Sequence, residues 1–182
     1  MILYGTSCSG KSTLIRKLCS DHGFIPINGY VTRELREDDF ARIRLPMNEF
    51  QAKMDNGYFL IVNKYLSVLY GNARDEFDLA LQDKDNTYIL DYLIKDHEKL
   101  SAFKYSRVII VPENEQQLIE QIKSSGRHDR TQSILSDCRE NYNGGNLSAY
   151  RAHGFSVIVN KFGNLNAAIN GILEIEKNTR RK

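Results

Sequence analysis

The chain has 182 residues, of which 41% are hydrophobic and 26% are charged, which is typical of one globular domain with a substantial core. A formal net charge of +2 gives no overall attraction to nucleic acid or to a membrane surface, so we expect neither as a partner. Three cysteines without CxxC spacing and four scattered histidines argue against a disulfide framework and a zinc site. No apolar run reaches about 18 residues and no signal-peptide pattern opens the chain, so we expect no membrane span and a cytoplasmic location.

The first three predicted elements are a strand, a glycine-rich turn and a helix. Residues 2–4 are apolar, and residues 13–19 carry apolar side chains at helical spacing. Residues 5–12 between them read Gly-Thr-Ser-Cys-Ser-Gly-Lys-Ser, the phosphate-binding P-loop pattern. Backbone N–H groups of such a loop point at an anion. The sequence therefore predicts an ATP site with Gly5, Ser7, Ser9, Gly10, Lys11, Ser12 and Thr13.

Two side chains of this loop have expected roles. Lys11 would reach the outer phosphates of ATP, and the Ser12 hydroxyl would bind Mg²⁺. We interpret Cys8 as a small spacer, because no histidine nearby in the sequence can activate it.

A charged segment and a smaller set of elements follow the first helix, which we expect to end at His22 with Gly23 as its left-handed cap. In the segment 29–39, Arg33 and Arg36 are three residues apart and could point the same way, or could lie in a solvated loop. Beyond it the pattern predicts a helix over 48–56 capped by Asn48, a strand over 58–62, and a helix from about residue 73 with Phe77, Ala80 and Leu81 on one face.

The second half of the chain alternates strands and helices. We expect strands over 87–91, 107–111 and 155–160, the last two of the kind buried on both faces. Helices are predicted over 97–103, 114–123 (capped by Asn114, with Gln117 in a capping box) and 131–142, and a last helix is capped by Asn164. Residues 124–130 and 143–146 are predicted loops, and 179–182 a frayed tail. The fold class is therefore α/β with a mainly parallel sheet, interrupted by an inserted lobe over about 29–84.

Asp91 ends the strand over 87–91. In a P-loop protein such an acid can lie near the waters of Mg²⁺, although an Asp can also simply end a strand.

Taken together and in order, these motifs resemble the guanylate kinase family. Residues 5–13 look like the ATP loop of that family, residues 32–36 (Thr-Arg-Glu-Leu-Arg) are similar to its Thr-Arg-x-x-Arg element, and residues 69–72 (Leu-Tyr-Gly-Asn) resemble its Tyr-Tyr-Gly-Thr/Ser step. The resemblance implies a three-layer α/β/α P-loop fold in one domain. Its core would be residues 1–28, 85–123 and 144–182, its acceptor lobe 29–84 and its lid 124–143.

The resemblance also implies roles for individual residues. The acceptor would be bound by Thr32, Arg33, Arg36, Tyr70, Asn72 and Asp91. Asp91 would also hold Mg²⁺ through water, together with Ser12. Arg127, Arg130 and Arg139 of the lid would stabilise the transferred charge beside Lys11, and Asn160 would lie near the adenine.

The chain differs from the family at the positions whose side chains contact the guanine base in that family. Ile61 stands at the position of a base-reading Glu, Leu93 replaces a second carboxylate, Asn72 replaces a hydroxyl, and residues 40–47 replace a tyrosine-containing segment. A site that reads a base edge loses much selectivity without its polar partners.

The resemblance thus implies an ATP-dependent phosphotransferase acting on a nucleoside monophosphate, with Mg²⁺ as cofactor, as a monomer or homodimer. One alternative is a related kinase of a phosphorylated sugar such as ribose 1,5-bisphosphate. The other is a non-catalytic guanylate kinase-like binding module, against which the intact Lys11-Ser12 pair argues.

Overall fold

The structure is a computed structural model that describes residues 1–65, 67–100, 105–161 and 163–180. Its strands are β1 (Ile2–Tyr4), β2 (Ile25–Pro26), β3 (Gly29–Val31), β4 (Arg42–Arg44), β5 (Phe59–Tyr65), β6 (Val68–Ala73), β7 (Tyr88–Tyr92), β8 (Arg107–Pro112) and β9 (Ser156–Asn160). Its helices are α1 (Lys11–His22), α2 (Met47–Asp55), α3 (Arg74–Gln82), α4 (Glu115–Ser124), α5 (Thr131–Tyr142), α6 (Gly144–Ala152) and α7 (Leu165–Arg180), with 3₁₀ turns at Ile94–Leu100 and His128–Arg130.

The chain divides into two compact units. The first comprises Met1–Leu14 and Asp91–Lys182, and the second comprises Ile15–Leu90. No helix among the described residues is both long and apolar enough to cross a membrane. The predicted division into core, acceptor lobe and lid stays a prediction.

A parallel sheet forms the centre of the first unit. Strand β8 pairs in parallel with β1 on one side and with β9 on the other. Its apolar run is buried, with Val108, Ile109 and Ile110 at 0% exposure, as expected for a strand covered on both faces. Helix α4 packs against β8, and α6 and α7 pack against β9. The loop that follows β1 therefore leaves the sheet at the carboxyl ends of parallel strands.

The second unit contains a four-stranded sheet in the order β4-β3-β6-β5. Strand β6 is antiparallel to both β3 and β5, whereas β3 and β4 are parallel. An aromatic core lies beneath it, in which the rings of Phe50 and Phe59 stack with centroids 4.5 Å apart. Outside this sheet, β2 pairs in parallel with the first residues of β7.

The predicted α/β class with a mainly parallel central sheet and flanking helices is confirmed. The helix over 131–142 has the predicted bounds. The side chain of Asn114 caps α4 by accepting from the backbone N–H of Gln117 at 2.9 Å, and Gly23 at φ +69° follows α1.

Several local predictions were wrong. Residues 144–152 form α6, where 143–146 was predicted to be a plain loop, because the Asn143 side chain accepts from the backbone N–H of Asn146 and caps a helix despite two glycines. Helix α2 begins at Met47 after Pro46 and so is not capped by Asn48. The strand predicted to be buried on both faces exposes Val159 at 45%, because β9 ends the strand order of its sheet.

Two predictions fall partly outside the described residues. The helix predicted over 97–103 corresponds to the 3₁₀ turn Ile94–Leu100, and residues 101–104 are not described. The predicted tail begins within α7, and residues 181–182 are not described.

Candidate active site

The loop between β1 and α1 depends on two glycines. Gly10 has φ +89°, and a Cβ at that position would overlap the side-chain amide of Asn160. A Cβ on Gly5 would lie 2.8 Å from the carbonyl oxygen of Ile110. Cys8, in the middle of the loop, has φ +61°, a conformation that is uncommon outside glycine. The glycines therefore allow the loop to turn tightly against β8 and Asn160.

Lys11 is held inside this loop. Its Nζ donates to the carbonyl oxygens of Gly5 at 3.0 Å and Thr6 at 2.8 Å, and it lies 3.7 Å from Oδ1 of Asp91. The Lys11 side chain is 7% exposed. A buried ammonium group is tolerated where it is paired and hydrogen-bonded, so the loop carbonyls and Asp91 together fix its position.

The first turn of α1 carries two exposed hydroxyl residues, Ser12 and Thr13. Asp91 is partly exposed at 22%. A hydroxyl and a carboxylate are hard oxygen donors that suit Mg²⁺, which keeps several waters and shares its site with substrate phosphates. Among the described residues no group of three His, Cys, Asp or Glu side chains is arranged to hold a metal by itself. The residues present thus fit a cation bound mainly through phosphate and water.

Asn160 supports the loop from β9. Its side-chain amide donates to the backbone carbonyl oxygen of Ser9 at 3.0 Å, and its backbone carbonyl oxygen accepts from Nε2 of Gln117 at 3.0 Å. All three residues are buried. Sequence reasoning associated Asn160 with the adenine; in the structure its amide is directed at the loop backbone, and an adenine contact stays a prediction.

Tyr142 is a loop contact that sequence reasoning missed. Its hydroxyl accepts from the backbone N–H of Thr6 at 2.7 Å and donates to the carbonyl oxygen of Ile110 at 3.1 Å. Burial raises the pKa of this phenol well above its usual range. Tyr142 ends α5 and is 136 residues away from Thr6, so no local pattern marks it.

The three predicted lid arginines have different surroundings. Arg127 donates from Nη1 to the Sγ of Cys8 at 3.3 Å, which brings it to the loop. Arg139 donates to both carboxylate oxygens of Glu115, at 2.9 and 2.5 Å, on the surface of α4 and α5. Arg130 lies at the end of the 3₁₀ turn that precedes α5. The hydrogen bonds to Glu115 raise the pKa of Arg139 and lower that of Glu115.

In the second unit, Arg33 is paired with a residue that sequence reasoning did not single out. Its Nη1 and Nη2 donate to the two carboxylate oxygens of Asp39 at 2.6 and 2.8 Å, and the backbone N–H of Arg36 donates to the same carboxylate at 2.8 Å. The side chains of Arg33 and Asp39 are 15% and 12% exposed. The hydrogen bond to Asp39, followed by one to Tyr70, raises the pKa of Arg33 although burial opposes it.

Thr32 joins this group, because its hydroxyl accepts from the backbone N–H of Leu69, next to Tyr70. The structure thus brings Thr32, Arg33 and Tyr70 together, while the Arg36 side chain is exposed. The only sequence signal for Asp39 is a carboxylate six residues after Arg33 in a charged loop.

The remaining predicted acceptor residue, Asn72, is buried in β6. Its side-chain amide donates to the carbonyl oxygen of Asn28 at 3.0 Å, and the backbone N–H of Asn28 donates to Glu76 at 2.7 Å. Ile61 is 6% exposed. The guanidinium of Arg42 lies directly against Gly29, where any larger residue would collide with it.

The chain was compared with family models, curated proteins and solved structures, and only solved structures matched it. No family model and no curated protein matches the chain. Among solved structures, the guanylate kinase from Anaplasma phagocytophilum superposes with a TM-score of 0.73 over 100% of this chain and 85% of that chain, at 16% sequence identity. At that identity the likeness shows the fold, and the chain therefore has a guanylate kinase-like α/β fold.

Proposed function

We propose that the chain is an ATP-dependent phosphotransferase that moves the γ-phosphoryl group of ATP to a phosphate-bearing acceptor. The observation that carries the proposal is the position of Lys11, whose ammonium group is held on two loop carbonyls and 3.7 Å from Asp91. Phosphoryl transfer depends on positioning and charge neutralisation more than on covalent chemistry by the protein. A fixed cation in a phosphate-binding loop supplies both.

The donor end of the reaction would use the loop and the start of α1. The loop amides and Lys11 would bind the phosphates of ATP, aided by the partial positive charge of the helix N-terminus. Ser12, and Asp91 through water, would hold Mg²⁺, which would neutralise charge on the phosphates. Arg127, the lid arginine that contacts Cys8, is the first choice for stabilising the transferred group, with Arg130 and Arg139 as further candidates.

The acceptor end would use Arg33, Arg36 and Tyr70. Arginine suits a phosphate because its planar fork can donate two parallel hydrogen bonds. Both terminal nitrogens of Arg33 already donate to Asp39, so an acceptor phosphate would share these donors or displace the carboxylate. A nucleoside monophosphate is the first candidate acceptor, supported by the guanylate kinase-like fold and by the retained arginine pair.

A phosphorylated sugar is the second candidate, and one observation favours it. Ile61, at the position of a base-reading carboxylate, is a buried apolar residue, and a site that reads a base edge needs polar partners. A non-catalytic binding module remains the alternative from another class.

The proposal is tested by coupled assays of ATP consumption with GMP, dGMP, AMP, UMP, CMP and ribose 1,5-bisphosphate as acceptors. We expect turnover with one class, nucleotides or the sugar bisphosphate. Arg33→Ala should lower kcat/KM for that acceptor on the order of 100-fold, because hydrogen bonds between charged groups are lost, with KM for ATP little changed. The matched control is Arg44→Ala, which removes an exposed arginine paired with Glu34. Equal losses for ATP and acceptor in Arg33→Ala would contradict the role given to Arg33.

A further inference from the structure

We infer that Tyr142 is a positioning residue of the donor loop, acting on Lys11 through the peptide unit that joins Gly5 to Thr6. This inference rests on the proposed donor site. The two ends of that peptide unit are held by different side chains: its N–H donates to the Tyr142 hydroxyl at 2.7 Å, and its carbonyl, that of Gly5, accepts from Lys11 Nζ at 3.0 Å. The orientation of one peptide plane therefore links the phenol to the ammonium group.

The second hydrogen bond of Tyr142 anchors the phenol itself. The hydroxyl donates to the carbonyl of Ile110 at 3.1 Å, so its donor and its acceptor capacity are both used. Ile110 is also the residue against which Gly5 packs so closely that a Cβ would lie 2.8 Å from the Ile110 oxygen. The phenol thus ties the first peptide of the loop to β8 at the point of closest approach.

Loss of the Tyr142 hydroxyl should make the position of Lys11 Nζ less fixed. Phenylalanine at position 142 keeps the ring and removes the acceptor for the Thr6 N–H, which leaves a polar group without its partner in a partly buried place. The Gly5–Thr6 peptide then has freedom to rotate, and its carbonyl no longer fixes Lys11 Nζ. We expect weaker binding of phosphates in the loop, while the acceptor residues of the second unit keep their geometry.

Tyr4 provides a matched control in the same unit. It is 0% exposed, it immediately precedes Gly5, and its hydroxyl has no hydrogen-bond partner among the described residues. Tyr4→Phe therefore removes a buried hydroxyl without removing a contact to the loop, and it should leave nucleotide affinity within about twofold.

The test is calorimetric titration of the full chain with Mg·ADP. We expect Tyr142→Phe to bind about tenfold more weakly than the wild type, and KM for ATP to rise while KM for the acceptor stays unchanged. Because the effect passes through Lys11, Tyr142→Phe should cause little further loss in a Lys11→Ala background. Wild-type affinity in Tyr142→Phe, or equal losses in Tyr142→Phe and Tyr4→Phe, would overturn the inference and leave the donor site intact.

A second measurement uses the wild type and covers the case in which Tyr142→Phe does not fold. Amide hydrogen exchange at Thr6, without nucleotide, should be slowed to the level of β1. Exchange as fast as in an exposed loop would overturn the inference. A wild type that binds no Mg·ADP would overturn the proposed function, and this inference with it.

Discussion

The largely buried pair of Arg33 and Asp39 allows the most specific prediction about stability. Asp39→Asn keeps the shape of the side chain, removes its charge and turns an amide group towards a guanidinium. Removing one partner of a fully buried pair costs about 3–5 kcal/mol. Since these side chains are still 15% and 12% exposed, we expect about 2–3 kcal/mol, which lowers the Tm of a chain of this size by about 5–10 °C.

The assay is thermal denaturation followed by circular dichroism at pH 7. Glu115→Gln is the matched control, because Glu115 accepts from Arg139 with the same two-point geometry, but these side chains are 46% and 63% exposed. Exposed pairs contribute little to stability, so the Tm of this control should hardly change. If Asp39→Asn were as stable as Glu115→Gln, burial would not determine how much each ion pair contributes to stability.

The contribution of the Arg33–Asp39 pair to stability depends on pH, and its direction follows from the lowered pKa of Asp39. Burial by itself raises the pKa of Asp39, but hydrogen bonds from Arg33 and the backbone of Arg36, with the nearby charges of Arg33 and Arg42, lower it overall. A carboxyl with a lowered pKa in the folded state stabilises the protein above its unfolded pKa of about 4 and loses this contribution as the pH falls through its folded value. The difference in Tm between wild type and Asp39→Asn should therefore be largest near pH 7 and should decrease below pH ~4. An unchanged difference at low pH would contradict this.

Two further substitutions test the first unit. Gly10→Ala places a Cβ over the Asn160 amide at φ +89°, so Mg·ADP affinity measured by calorimetry should fall by about an order of magnitude or more; unchanged affinity would mean that the loop tolerates a side chain there. Asn114→Ala removes the cap of α4 at the backbone N–H of Gln117, which should cost about 1 kcal/mol in chemical denaturation. No loss would show that Gln117, through its bond to the Glu113 backbone, is sufficient to fix the start of the helix.

The parts of the fold that local chemistry specifies were predictable. The strand, glycine turn and helix over residues 2–22 follow from apolar spacing and from two glycines. Strand β8 was recognised from an uninterrupted β-branched run. By contrast, α6 has few apolar residues and begins with two glycines, so its helical character depends on the Asn143 cap and on packing against β9, which the sequence pattern does not reveal.

The candidate site likewise contains residues that the sequence predicts and residues that it does not. Lys11 and its loop could be predicted, because phosphate binding requires this spacing of glycines and lysine. The contacts that orient the loop could not, since Tyr142 and Asn160 are 136 and 151 residues away in the chain from the atoms that they bind. Asp39 was missed for another reason: in a segment dense in charge, sequence alone does not distinguish a buried partner of Arg33 from a solvated acid.

In the proposed function, the loop around Lys11 is the donor end of a phosphoryl transfer. The most direct test is incubation of the protein with γ-labelled ATP, Mg²⁺ and the panel of nucleoside monophosphates and ribose 1,5-bisphosphate, followed by separation of labelled products. The wild type should yield one labelled acceptor, and Lys11→Ala should yield it at a rate lower by orders of magnitude. Absence of a labelled product with every acceptor, or equal labelling by Lys11→Ala, would contradict this role of the loop.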